Sequence, residues 1–453
     1  MNNFGVLLKF ELKKLFVNKV TVLSLVVCVS FLFGLMMLEY LLISPEDQHV
    51  AEKEAALEGR ALDEQMIAEI VETVSEYGSF ADIPADNLYY HAALYMNRAL
   101  SSFWYVESIS ENYSLTEMTA KKFYQMRDDI QQYLYDEFRL SEGEKQYWAE
   151  KEAEVEKPFV WYANYGIRSM RINYLAVLAP AIMTIGICLS GIFAAERSFR
   201  TEDLIFCAKE KNTVVSAKLL AGELFSLMVG LILLTAGQLP NVIFNGFHGI
   251  NTPCQILVPF TAYPYTSGKL LLIGTGLYIL ASLLVGAIVL FLSCILKNSI
   301  AVAGIVCVSV TLDLFLTIPS NYRVFSQIRC LTPLQVLINS SMTDPRLLKL
   351  GGSYLTAYQL AGIGYAFLIL LFCLVTNKAG EKGQSDRVKG DGWSQARVSL
   401  IGTHRAWHRV FHSGVSHVPG QQTGGGVPSP VHTHPVSLSL WLFTYHRRPR
   451  PIG

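Results

Sequence analysis

The chain has 453 residues, 51% hydrophobic and 16% charged, well under the ~25% charged share of a soluble globular chain. The charge is gathered into segments dense in Glu, Asp and Lys, separated by long uncharged stretches, which excludes an ordinary soluble domain and marks a membrane protein. Lys and Arg balance Asp and Glu at 37 each, so no overall basic field draws nucleic acid.

Residues 1–19 place Phe4, Leu7, Leu8, Leu12, Leu15 and Phe16 at helical spacing, with Lys9, Lys13, Lys14 and Lys19 between them. That pattern predicts either an amphipathic helix lying in the cytoplasmic interface near anionic lipid headgroups or an extension of the span that follows. The first apolar run, residues 20–43, is too long for the core of a cleavable signal and no small-residue cleavage site follows it, so it reads as a retained span.

Residues 44–171 hold about two-thirds of the acidic residues and are rich in good helix formers. Phe103, Trp104, Tyr105, Phe123, Tyr124, Tyr133, Trp148 and Trp161 supply enough apolar surface for a packed core. This segment reads as a helical extracytoplasmic domain with a solvated acidic face. Five further apolar runs follow at 172–195, 219–239, 270–296, 299–318 and 357–376, each near the ~20 residues needed to cross hydrocarbon. The fold class is therefore an all-α membrane protein of six transmembrane helices, with a large, mainly helical extracytoplasmic insert between the first and second.

Orientation follows from the basic residues. The N-terminal lysines, the cluster Arg197, Arg200, Lys209, Lys211 and Lys218, and Lys297 all fall inside when the N-terminus is cytoplasmic. Arg323, Arg329, Arg346 and Lys349 resist this topology, because it puts them outside. Residues 240–268 are too apolar for a loop and too broken by Pro240, Pro253, Pro259 and Pro264 for a span; with CQILVPF at their centre they read as an interfacial or re-entrant piece, as does RCLTPLQVL at 329–337. Cys28, Cys188, Cys294, Cys307 and Cys373 sit in apolar runs as small hydrophobes. Cys254 and Cys330 share the outer side, where a disulfide between them is open. After residue 377 the composition changes abruptly. Residues 378–453 carry seven of the ten His and a low-complexity texture that predicts disorder, and the break in composition suggests an altered reading frame or a foreign fusion.

No residue pattern here carries catalysis. The nearest approach to a phosphate-binding loop is Gly268-Lys269, where Tyr263 replaces the first glycine and Leu270 the magnesium-binding hydroxyl. Asp313 is the acid well inside a span. It reads as a substrate or proton site, or as an acid paired across the bundle with Thr or Tyr or snorkelling outward. Glu39 and Glu223 read as interface residues within about one turn of a helix end. Between the second and third spans, FAAERSFRTEDLIFCAKEKNTVVSAKLLAG sets Leu204, Ile205 and Phe206 between charged residues, a pattern suited either to docking in a partner's groove or to lying on the membrane surface.

This loop resembles the cytoplasmic loop of type-2 ABC transporter permeases, the exporter class. Glu196, Arg197, Thr201, Glu202, Leu204, Ala217 and Lys218 follow the family's order, with Arg200 where glycine is usual. KFELKKLFVNK resembles the family's N-terminal interfacial helix, and LTPLQ at 331–335 its Leu-x-Pro step before the last span. The resemblance implies a permease of the cell membrane that works with a second permease subunit and with separate ABC ATPase subunits. It implies that ATP and Mg bind on those ATPases, that this chain holds no cofactor or metal, and that it is not itself an enzyme. It implies an ATPase-coupling loop of Glu196, Arg197, Thr201, Glu202, Leu204, Phe206 and Lys218. A membrane sensor with an outer ligand-binding domain, and an ion-coupled transporter using Asp313, are the alternatives.

Overall fold

The computed structural model describes residues 4–41, 54–103, 106–194, 211–296, 298–319, 322–337 and 344–385, all within one compact unit, Met1–Val388. Residues 195–210 and 386–453 lie outside the described residues; residues 378–385, the start of the segment expected to be disordered, are helical instead and continue the last helix to Ser385.

The chain is mostly helical. Among the described residues four helices are long and apolar enough to cross a membrane: Lys19–Leu38, Thr213–Asn245, Ser267–Leu296 and Ala357–Gly380. They belong to α2 (Lys19–Leu41), α8 (Lys211–Asn245), α9 (Ser267–Leu296) and α12 (Ala357–Ser385). Two shorter apolar stretches, Tyr174–Leu189 and Ser299–Phe315, form the end of α7 (Tyr165–Leu189) and all of α10 (Ser299–Phe315). Together these helices share one apolar core through Val177, Phe225, Tyr278, Leu290 and Val302. Small residues bring them close, as membrane helices require where the hydrophobic effect gives no drive to associate. A Cβ on Gly237 would lie 2.3 Å from Val177, and one on Gly286 would lie 2.2 Å from the Ser226 hydroxyl. Polar side chains bond across the bundle to backbone: Tyr278 donates to Gly230 O at 3.1 Å and Ser293 to Ser190 O at 2.7 Å. The outer faces are apolar. Val26 and Phe31 on α2, Val308 and Leu312 on α10, and Phe367 and Leu370 on α12 are exposed, a surface suited to lipid rather than water.

The N-terminal segment is a separate helix, α1 (Phe4–Val17). Asn18 ends it and opens α2, its side chain accepting the Val20 N–H at 3.0 Å. Leu8, Leu12, Leu15 and Phe16 pack on the bundle core, with the Phe16 and Phe225 rings 5.1 Å apart. Of the two readings open from periodicity, the separate helix is the one formed.

The insert folds around α3 (Glu64–Glu76), α4 (Tyr90–Ser101), α5 (Ala120–Glu137) and α6 (Glu142–Ala153). Capping sets their starts: Asp63 accepts from Met66 N at 3.0 Å, and Thr119 accepts from Lys122 N at 3.2 Å. Met66, Ile67, Ile70 and Val74 form one buried stripe of α3 and meet Met96, Phe123, Ile130 and Trp161. The two ends of the insert are zipped together, Leu62 N to Phe159 O at 2.8 Å and Trp161 N to Arg60 O at 2.7 Å.

Two later loops join this domain. Residues 240–268 are expected as a re-entrant or interfacial piece; instead their ends belong to α8 and α9, and between them Ile256 and Phe260 enter the insert's core. The buried Arg127 donates to the Thr261 carbonyl at 2.8 Å and also to that of Pro259, and Gln131 reaches Phe260 O at 3.2 Å. These contacts satisfy backbone groups that an extended apolar loop would otherwise strand. Pro240 does not break the span either, for α8 continues through it to Asn245. Residues 344–356 carry a hairpin, β1 (Leu348–Leu350) with β2 (Ser353–Leu355), antiparallel with Lys349 opposite Tyr354. Its turn uses Gly351 and Gly352 at φ of 57° and 96°, a region open to glycine. Trp148 on α6 donates to Pro345 O at 2.6 Å.

Candidate functional site

The sequence directs attention to the end of the bundle away from the insert. Glu196, Arg197, Thr201, Glu202, Leu204 and Phe206 lie outside the described residues, so their placement carries no argument. Lys218 is described, and its side chain is buried rather than presented outward. Its ammonium lies 3.8 Å from the Glu11 carboxylate, 3.4 Å from the Ile192 carbonyl and 5.6 Å from the Phe193 ring centroid. Glu11 is also nearly buried and takes Lys14 at 3.9 Å. A pair taken this far out of water is costly to break, about 3–5 kcal/mol when one partner is lost. Lys218, about two turns into α8, therefore ties together α8, α1 and the turn after α7 that leads into residues 195–210.

Glu223 is the functional candidate that sequence reading misplaced. It was expected near a helix end. Because α8 begins at Lys211, it sits more than three turns into the helix. Its Oε2 is buried with no hydrogen-bond partner, and its Oε1 lies 3.8 Å from the Cys373 thiol of α12. Gly286 faces it from α9, where a Cβ would be 3.6 Å from Oε2. A weak signal lay upstream: KNTVVSAKLL holds no Gly or Pro to stop a helix, and the helix that runs through it from Lys211 moves Glu223 inward.

Asp313 stands at the opposite end of the bundle. Its carboxylate accepts from the Thr332 hydroxyl at 2.7 Å, and its backbone carbonyl from Gln335 at 2.6 Å and Arg329 at 3.5 Å. The threonine pairing is one of the arrangements expected from sequence. The structure does not bring Asp313 together with Lys218. Among the described residues no group of three or more His, Cys, Asp or Glu is arranged to hold a metal ion. Cys254 and Cys330 are both free thiols. The first donates to Tyr263 O at 2.9 Å and the second lies 3.7 Å from Asp344, so the disulfide left open in the sequence is not formed.

The basic loop that resisted the topology is compensated on the insert side. Arg323 pairs with Glu144, and Arg346 with Asp344 at 2.6 Å. Lys349 lies 5.5 Å from the Tyr354 ring centroid. Burial pushes the Glu144 carboxyl up, but N–H groups of Ser141 and Leu347 and the Arg323 charge outweigh it and hold the group below its ordinary range. These cations meet protein partners instead of an anionic inner leaflet.

No protein-family model, curated protein or solved structure matches the chain.

Proposed function

We propose that this chain is the transmembrane subunit of an ABC exporter, resembling type-2 permeases, with ATP and Mg bound on separate ATPase subunits that dock on residues 196–218. In this reading the four long apolar helices and the two shorter ones make six crossings of the cell membrane, with α1 cytoplasmic and the insert outside. The alternation supports it: the insert, residues 246–266 and residues 344–356 gather at one end of the bundle, while α1 and both roots of the 195–210 loop meet at the other. A second permease subunit completes the pathway.

The observation that carries the reading is the Lys218–Glu11 clamp, 3.8 Å long and buried. A force applied by an ATPase to residues 196–206 reaches α8, α7 and α1 through one side chain. Glu196, Arg197, Thr201 and Glu202 supply charge and hydrogen bonds to the docked partner, and Leu204 and Phe206 its apolar contact.

The test is to tag the chain, extract it gently from native membranes and identify what co-purifies. A stoichiometric P-loop ATPase, lost when Glu196 and Arg197 are reversed in charge, is expected. Absence of any ATPase under conditions that preserve complexes refutes the reading. Glu223, with its unpartnered oxygen in the bundle, favours one other reading, an ion-coupled transporter. That reading requires transport that survives ATP depletion and stops when the ion gradient is collapsed.

A further inference from the structure

Helix α11 (Arg323–Cys330) has its polarity reversed. Ser326 and Gln327 are buried at 5% and 8% exposure, while Val324, Phe325 and Ile328 are exposed at 65%, 65% and 57%. In water a helix of this composition turns its apolar side to the protein. Here the polar side is turned inward and hydrogen-bonded: Ser326 accepts from Arg346 at 2.6 Å, and Gln327 donates to Leu347 O at 3.3 Å.

The segment also sits deep. Tyr365, eight residues into α12, donates to the Leu331 carbonyl at 2.7 Å. Eight residues are about 12 Å of helix, less the few ångströms by which the side chain leans back toward the N-terminus. Beyond it, Leu334 and Val336 are buried in the bundle core. Helix α10, which precedes the segment, has 17 residues, about 25 Å of helix, short of the ~30 Å of hydrocarbon a span must cross. Leu312 and Phe315 near its end, and Leu316 just after it, are exposed apolar groups as well. One carbonyl freed where α10 ends, that of Asp313, is bonded by two side chains, Gln335 and Arg329, as backbone out of reach of water requires.

We propose that α11 is a membrane-embedded helix whose Val324, Phe325 and Ile328 face is covered by the acyl chains of the insert-side leaflet, and that it completes the crossing begun by α10. The proposal rests on the chain crossing a membrane and is independent of any ATPase.

The test uses the full chain with Phe325→Trp, reconstituted in phosphatidylcholine–phosphatidylglycerol vesicles whose acyl chains are brominated near the carbonyl end. Phe31→Trp on the exposed face of α2, in vesicles brominated near mid-chain, is the control, and the parent chain's fluorescence is subtracted throughout. The added signal of Phe325→Trp is expected to lose most of its intensity to brominated lipid and little to aqueous iodide. Quenching by iodide and not by lipid overturns the proposal, because the face then meets water. Resistance to both, with the control quenched by lipid, also overturns it, because protein then covers the face. If the control itself escapes lipid quenching, the membrane-crossing reading falls as well. Ile328→Trp, on the same face, supplies the same measurement if Phe325→Trp does not fold.

Discussion

Replacing Arg127 by Met should detach residues 254–266 from the insert while leaving the helix bundle in place. Arg127 is 1% exposed. Its guanidinium bonds Glu152 at 2.6 and 3.2 Å and caps the carbonyls of Thr261 and Pro259. Methionine keeps the apolar stem of the side chain, but it loses the guanidinium 5.4 Å from the Phe159 ring centroid, strands the carbonyls and leaves Glu152 to Lys157 and Gln131, at 3.0 and 3.1 Å. Loss of one partner of a buried pair costs about 3–5 kcal/mol. The surviving Lys157 contact argues for the lower end, and about 3 kcal/mol corresponds to roughly a hundredfold in a local opening equilibrium at 1.4 kcal/mol per tenfold. The assay is amide hydrogen exchange on the full chain, followed by peptide. Amides such as Cys254 N, bonded to Tyr265 O at 3.0 Å, and Val258 N, bonded to Cys254 O at 2.8 Å, should exchange about a hundredfold faster, while those of α8 and α9 stay unchanged. Adding Glu152→Gln should recover part of the loss, because the stranded charge is then removed. Acceleration under about threefold in 254–266 would refute the reasoning, since that opening costs well under 1 kcal/mol.

Other outcomes follow from the same contacts. The Glu69 carboxyl is held down to about 2, first by its hydrogen bond from Arg60 and then by that from Tyr89, against an ordinary value of 4.5. A depressed carboxylate contributes stability that is complete above its unfolded value and lost as the pH falls through the folded one, so the thermal midpoint of the insert should drop between pH 4.5 and about 2, and Glu69→Gln should flatten that slope. Gly286→Ala places a Cβ 2.2 Å from the Ser226 hydroxyl; such overpacking costs about 1–3 kcal/mol and should lower the thermal midpoint of the bundle, with Ser226→Gly in the same chain restoring most of it.

The helices of this protein are legible because their signals are long and local. Apolar runs of span length, the helix-forming texture of the insert and the caps at Asp63 and Thr119 lie within a few residues of what they cause. Helix ends are less legible. Residues 211–218 look like the end of a loop because they carry Lys211 and Lys218, yet they are helical, and Lys218 is buried against Glu11. That one shift turns Glu223 from an interface residue into a carboxyl facing Cys373 and Gly286. The charge rule for loops is blind to pairing at Arg323 and Arg346 for a similar reason. It counts cations without knowing that Glu144 and Asp344 neutralise them.

The two segments read as re-entrant show why composition alone could not settle their places. CQILVPF and RCLTPLQVL, the latter with the helix α11 that leads into it, both carry apolar side chains and a proline, and both come after an apolar helix. In the first, the backbone is short of partners, and Arg127 and Gln131 reach it from α5, so the apolar side chains turn into the insert's core with Phe103 and Phe260 rings 5.1 Å apart. In the second, the segment's own polar residues take Arg346 and the Leu347 carbonyl as partners. Satisfying them turns Ser326 and Gln327 inward and leaves Val324, Phe325 and Ile328 outward. Both carry apolar side chains, and the direction these face is set by polar groups more than a hundred residues away in the first case and about twenty in the second. A buried hydrogen bond that cannot be left unmade thus decides which apolar surface the surroundings must cover.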